Sequence, residues 1–163
     1  MRIVFLDFDG VLNWRAHVES SAAPTTPGPD LLADSAVRRV ERLCAETQAG
    51  IVVSSTWRLS FDRPTLEEML RAKGLETTPV LDVSPLIPHK QGRGQEIQSW
   101  LDTVPPTRGW TIEGLVILDD QSDMLHLTPW LVLSSFETGF TDAHLLAAKS
   151  VLASPAPCYF GDR

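Results

Sequence analysis

Near its amino terminus the chain reads Arg2-Ile3-Val4-Phe5-Leu6-Asp7-Phe8-Asp9-Gly10-Val11-Leu12. Ile3 to Leu6 is an unbroken, partly β-branched apolar run, the pattern of a strand buried on both faces. It ends on two carboxylates. Asp7 and Asp9 are two apart, so on extended backbone they point the same way and face one site. Two such charges ~4 Å apart repel by about 4 kcal/mol at an effective dielectric near 20. A cation, a proton or water must offset that. Alone, Asp-Phe-Asp-Gly is also an ordinary turn composition. A calcium loop would need an acidic or amide residue where Phe5 stands and a helix in place of the strand, so the stretch does not fit one.

The same pattern recurs downstream. Ile51-Val52-Val53 runs into Ser54-Ser55-Thr56, and Leu115 to Leu118 runs into Asp119-Asp120. Thr78 to Val83 and Trp130 to Leu133 read as further strands. Between them, apolar residues at helical spacing predict helices. These are Asp34 to Gln48 (Asp34 as N-cap, Gly50 as stop), Pro64 to Lys73 with Gly74 just beyond, Gly94 to Leu101, and Asp142 to Leu152. Strands alternating with helices imply a three-layer α/β fold. Its mostly parallel sheet has about five strands and helices on both faces. Ligands of such sheets bind beyond the carboxyl ends of the strands, where the polar residues cluster. An all-oxygen set drawn from Asp7, Asp9, Asp119 and Asp120 suits Mg²⁺, which keeps several waters. His17, His89, His126 and His144 lack ligand spacing.

The 163 residues (18.0 kDa) are expected to form one domain over 1–163, with a flap or loop at 13–33 and a tail at 153–163. Lys plus Arg is 14 and Asp plus Glu 21, a formal charge of −7. That opposes a dedicated non-specific nucleic-acid binder while leaving a local basic groove open. No apolar run approaches the ~18 residues of a membrane span, and the first run is too short for a signal-peptide core. Cys44 and Cys158 make no disulfide framework, so a reducing cytoplasm is the expected home.

Taken in order, these strand-end motifs resemble the haloacid dehalogenase (HAD) superfamily, whose core is Rossmann-like. Asp7-Phe8-Asp9-Gly10-Val11-Leu12 resembles its first motif, with Asp7 as nucleophile and Asp9 as general acid/base. Ser54, or Ser55 as the alternative, is similar to the second. Arg93 before Gly94 is similar to the basic third motif, with Lys90 as the alternative cation. Asp119-Asp120 is similar to the fourth, with Asp123 as another spacing for the metal carboxylate. The wording SSTWR, GRGQEIQSWL and SFETGFTDAHL further resembles a small bacterial subfamily whose domain also occurs in multi-domain RNA-repair proteins.

The resemblance implies a Mg²⁺-dependent phosphatase working through an aspartyl-phosphate. Mg²⁺ would be held by Asp7, Asp119 and the Asp9 backbone carbonyl. Superfamily members that dehalogenate lack an acid at the Asp9 position, which favours phosphatase chemistry. Gly10, Asn13, Ser55, Trp57, Arg58 and Lys90 are the candidate substrate contacts. For Trp14-Arg15 and Trp57-Arg58, indoles stacking a base and arginines on phosphates stand against indoles packing a loop and solvated arginines. Leu12 to Ala33 is Pro-rich without apolar periodicity, so no folded cap is expected. The open site suits a phosphate on a large partner such as a polynucleotide end. A small-metabolite phosphatase and a non-catalytic phosphate-binding module are the alternatives, and the oligomeric state is open.

Overall fold

The computed structural model describes residues 1–22, 25–87 and 92–156. The chain order is β1 (Arg2–Leu6), α1 (Arg15–Glu19), α2 (Asp34–Thr47), β2 (Ala49–Val53), α3 (Arg63–Ala72), β3 (Val80–Val83), α4 (Arg93–Arg108), β4 (Gly114–Asp119), β5 (Leu131–Leu133) and α5 (Asp142–Ala153). Three short 3-10 turns, Pro29–Leu31, Thr56–Leu59 and Leu125–Trp130, lie in the connections.

All strand pairs are parallel, in the order β3-β2-β1-β4-β5. The chain steps one way from β1 to β3 and then returns to the far side of β1. The switch point of the sheet therefore falls between β1 and β4, where open α/β sheets bind ligands. Period-two alternation divides the strand side chains between two cores. Val4, Leu6, Ile51, Val53, Val116 and Leu118 pack with α2, α3 and α5, whereas Ile3, Phe5, Val52, Leu115 and Ile117 pack with α4. This is the expected three-layer Rossmann-like α/β arrangement.

Several boundaries differ from the sequence reading. Helix α2 ends at Gln48 in the left-handed region (φ 56), and Gly50 lies inside β2. A Cβ on Gly50 would collide with Leu81 of the neighbouring strand, so this glycine serves close strand packing rather than helix termination. Ala33, not Asp34, is the N-cap of α2. Asp62 caps α3 by accepting from the Thr65 N–H at 3.0 Å. Helix α4 continues seven residues past Leu101, through Pro105 and Pro106 to a left-handed Gly109. Those prolines masked its length, because they withhold N–H donors from the helix ladder.

The α4 side of the core centres on Trp100. It is 1% exposed, meets Phe5 edge-on at 5.4 Å, and donates its indole N–H to Asp82 at 3.1 Å. Trp100→Ala is expected to cost roughly 3–5 kcal/mol in denaturant unfolding. A cost below about 1 kcal/mol would mean this layer does not support the sheet.

Candidate functional site

The strand register builds the site. Leu6 lies opposite Val53 of β2 and Leu118 of β4. The ladder runs one step further: the Asp7 N–H donates to the Leu118 carbonyl (3.0 Å), Ser54 to Leu6 (2.9 Å) and Ser84 to Val53 (2.9 Å). Asp7, Ser54 and Asp119 follow Phe5, Val52 and Ile117 by two residues, so alternation turns all three toward α4. Arg93, the first residue of α4, meets them there. Its Nε lies 3.3 Å from Asp119 Oδ2 and its Nη2 3.8 Å from Asp7 Oδ1, with the side chain 6% exposed. A Cβ on Gly94 would stand 2.6 Å from the Met124 backbone, so this glycine lets α4 start against the loop after β4.

Asp7, Asp119 and Asp120 each offer one oxygen within 4.8 Å of the others. The Asp120 side chain fills the space where a Cβ on Gly10 would stand, and the φ of 74° at Gly10 is one that L side chains rarely adopt. Burial, then the charge of Asp7, raises the Asp119 carboxyl to about 7, against the pull of Arg93. Burial also raises Asp7, opposed by Arg93. Asp120 is raised by burial and by the Asp9 charge. Asp119 Oδ1 accepts the Gln121 N–H at 2.9 Å, while the buried Oδ2 accepts no hydrogen bond from the described residues. Three clustered carboxylates against one guanidinium leave a formal charge of −3 + 1 = −2. This donor set fits a hard divalent cation. Asp123 is elsewhere: its Oδ2 accepts the Arg93 backbone N–H at 3.1 Å, holding the start of α4. Of the two spacings read from the sequence, Asp120 joins Asp119.

Asp9 points to a different set of partners. Its Oδ1 accepts from Asn13 Nδ2 and its Oδ2 from Trp57 Nε1, both at 2.9 Å. Its side chain is not in the carboxylate cluster, which leaves its backbone carbonyl for the metal role that the resemblance implies. Asn13 Oδ1 accepts the Gly10 N–H (2.9 Å), and Ser134 Oγ donates to the Gly10 carbonyl (2.6 Å). Gly10 and Asn13 therefore shape the loop. The indole of Trp57 is 4% exposed and edge-on to Phe8, not open for stacking. Ser55 Oγ accepts the Trp57 N–H at 3.3 Å. Ser54 Oγ is buried without a hydrogen-bond partner among the described residues.

Arg58 is a candidate substrate contact in the sequence, with a solvated arginine as the alternative, and in the structure its donors are occupied inside the protein. Its guanidinium donates to the carbonyls of Ser54 (2.8 Å), Ser55 (2.7 Å) and Ser84 (2.9 Å), and to Glu96 Oε2 (2.5 Å). These bonds tie together the chain leaving β2, the chain leaving β3, and α4. Glu96 was missed from the sequence, though its spacing of three from Arg93 on a helix was a signal. Arg15 pairs with Glu137 on the surface, beside half-buried Trp14. Lys90 lies outside the described residues, so Arg93 is the one candidate cation placed at Asp7.

Raised carboxyl pKa values favour the protonated form on folding. Stability from Asp119 is therefore fully present below its unfolded value near 4 and is lost as pH rises through about 7. Without divalent metal, the melting temperature should fall on the order of 5 °C over that window. Mg²⁺ should restore it at the upper end, and Asp119→Asn should flatten both effects. Melting curves that ignore pH, or an Asp119→Asn protein that still responds in full, would contradict this.

No curated protein and no solved structure matched the chain. A family model described as the HAD domain in Swiss Army Knife RNA repair proteins matches residues 3–145. That span takes in β1 through the start of α5 and every residue of the carboxylate site, so this chain belongs to that HAD family.

Proposed function

We propose that this protein is a Mg²⁺-dependent phosphatase acting through an aspartyl-phosphate on Asp7, with a phosphate on a large partner, such as a polynucleotide end, as substrate. Membership of a HAD family supports phosphatase-type chemistry. The observation that carries the finer reading is the surroundings of Asp7. A buried carboxylate lies near a permanent guanidinium, and two buried donors, Ser54 Oγ and Arg93 Nη1, make no hydrogen bond among the described residues, Nη1 standing 3.9 Å from Glu96. Unpaired buried donors are costly. Phosphoryl oxygens would satisfy both, and the Arg93 fork suits them.

In the proposed reaction an Asp7 oxygen attacks phosphorus while the bond to the leaving oxygen breaks. Asp9 gives its carboxyl proton to that oxygen. In the second step Asp9 takes a proton from water as the water oxygen attacks phosphorus, and Asp7 is released. A divalent ion at Asp7, Asp119 and Asp120 would offset the charge between the anionic nucleophile and the anionic phosphate.

The large-partner reading is supported by the small size of the described connection after β1. Described residues between β1 and α2 hold only α1 and one 3-10 turn. Exposed Leu59, Leu86 and Leu125 lie on the segments leaving β2, β3 and β4, and exposed Leu133 ends β5. A partner that covers this rim would exclude water from the site.

Hydrolysis of 4-nitrophenyl phosphate should require Mg²⁺, fall to background in Asp7→Asn, and drop about 10²–10⁴-fold in Asp9→Asn. Full activity in Asp7→Asn would overturn the mechanism. Oligonucleotides carrying a 3′-phosphate should outcompete mononucleotides and sugar phosphates. The reverse order would select a small-metabolite substrate.

A further inference from the structure

We propose that Trp57 and Asn13 are positioning residues, a two-point clamp whose N–H donors hold the Asp9 carboxyl in its working orientation. The inference rests on the phosphatase reading and adds residues to it. Asp9 is partly exposed, on the turn just after β1. A carboxyl there would ordinarily sample several rotamers in water. Instead two donors from different segments converge on it, one to each oxygen, at 2.9 Å.

Both donors are themselves held. Asn13 is 0% exposed and tied to the Gly10 N–H. The Trp57 ring is edge-on to Phe8 at 5.3 Å and tilted against Phe61 at 6.4 Å. Beneath it, Arg58 anchors the Ser54 and Ser55 carbonyls from which the turn departs. Core filling alone does not account for the indole, since phenylalanine would make the ring contacts without a polar atom to satisfy. The indole N–H is aimed at the one carboxyl that the proposed reaction uses for proton transfer. Each Asp9 oxygen has a second lone-pair site, so the clamp leaves the carboxyl able to meet the leaving oxygen. Prior orientation of this kind lowers a barrier by removing the search for geometry.

The test compares kcat/KM for 4-nitrophenyl phosphate, whose leaving group needs little protonation, with that for an alkyl phosphate, whose leaving group needs it fully. Trp57→Phe keeps the ring and removes the N–H. Asn13→Ala removes the donor to Asp9 without adding a charge beside it, and it serves if Trp57→Phe does not fold. Each variant should lose about tenfold or more on the alkyl ester and far less on the nitrophenyl ester. Equal losses on both esters would reveal a merely structural role, and no loss on either would remove the clamp; both outcomes overturn the proposal. If wild type hydrolyses neither ester with Mg²⁺, the phosphatase reading fails and the clamp with it. If wild type is active and the variants keep its ratio of the two esters, only the clamp fails.

Discussion

The arrangement depends on one buried guanidinium. Asp7 and Asp119 end adjacent parallel strands, and register brings their carboxylates to the same level on the same face. Burying two such charges side by side costs several kcal/mol each without a counter-charge. Arg93 supplies it from α4, and everything around Arg93 fixes where it sits. Asp123 holds its backbone N–H, Gly94 lets the helix start close to the loop after β4, and Glu96 stands 3.9 Å from its Nη1. Glu96 is in turn paired with Arg58, which grips the chain leaving β2 and β3. The ends of four strands are thus linked to one helix terminus by charge rather than by apolar packing. Burial first, and then the Asp7 charge, raise the Asp119 carboxyl, and one guanidinium does not balance the three clustered carboxylates, which gives the site the chemistry of a cation site.

Legibility in the sequence followed the range of the interaction. Strand-end motifs are local, so Asp7, Ser54 and Asp119 could be read directly, whereas the shared face expected for Asp7 and Asp9 fails because β1 ends at Leu6 and Asp9 lies on the turn beyond it. The two-sided core and parallel order followed from apolar runs alternating with helical patterns. What escaped was set by long-range contact. Gly50 reads as a helix stop until Leu81 on the adjacent strand is seen to need its space. Asp120 and Asp123 are equally plausible metal carboxylates along the chain; the return of α4 onto the loop after β4 gives Asp123 to a backbone N–H instead. Arg58 looks like a surface cation after a tryptophan, and only the meeting of the chain after β2 with the chain after β3 and α4 shows its donors occupied. The Asp9–Trp57 bond spans 48 positions and left no trace in spacing.

The same geometry bears on how an acidic chain could act on a polyanion. A net charge of −7 spread over the surface is screened beyond roughly 8 Å at physiological ionic strength. The guanidinium of Arg93 is buried and screened far less. Long-range steering therefore does not draw phosphates in, and the attraction is confined to the last few ångströms. If the substrate is a large partner, as proposed, affinity would have to come from surface beyond Arg93, and the described residues present exposed leucines on the segments after β2, β3 and β4 and at the end of β5. Arg15 pairs with Glu137, and Arg58 is buried against Glu96. On the proposed reading, selection would come from fit and from water exclusion at the rim, with Arg93, Ser54 and a divalent ion left to hold the phosphate itself. Such a site discriminates by what carries the phosphate, because the groups that hold the phosphate would hold any phosphate equally well.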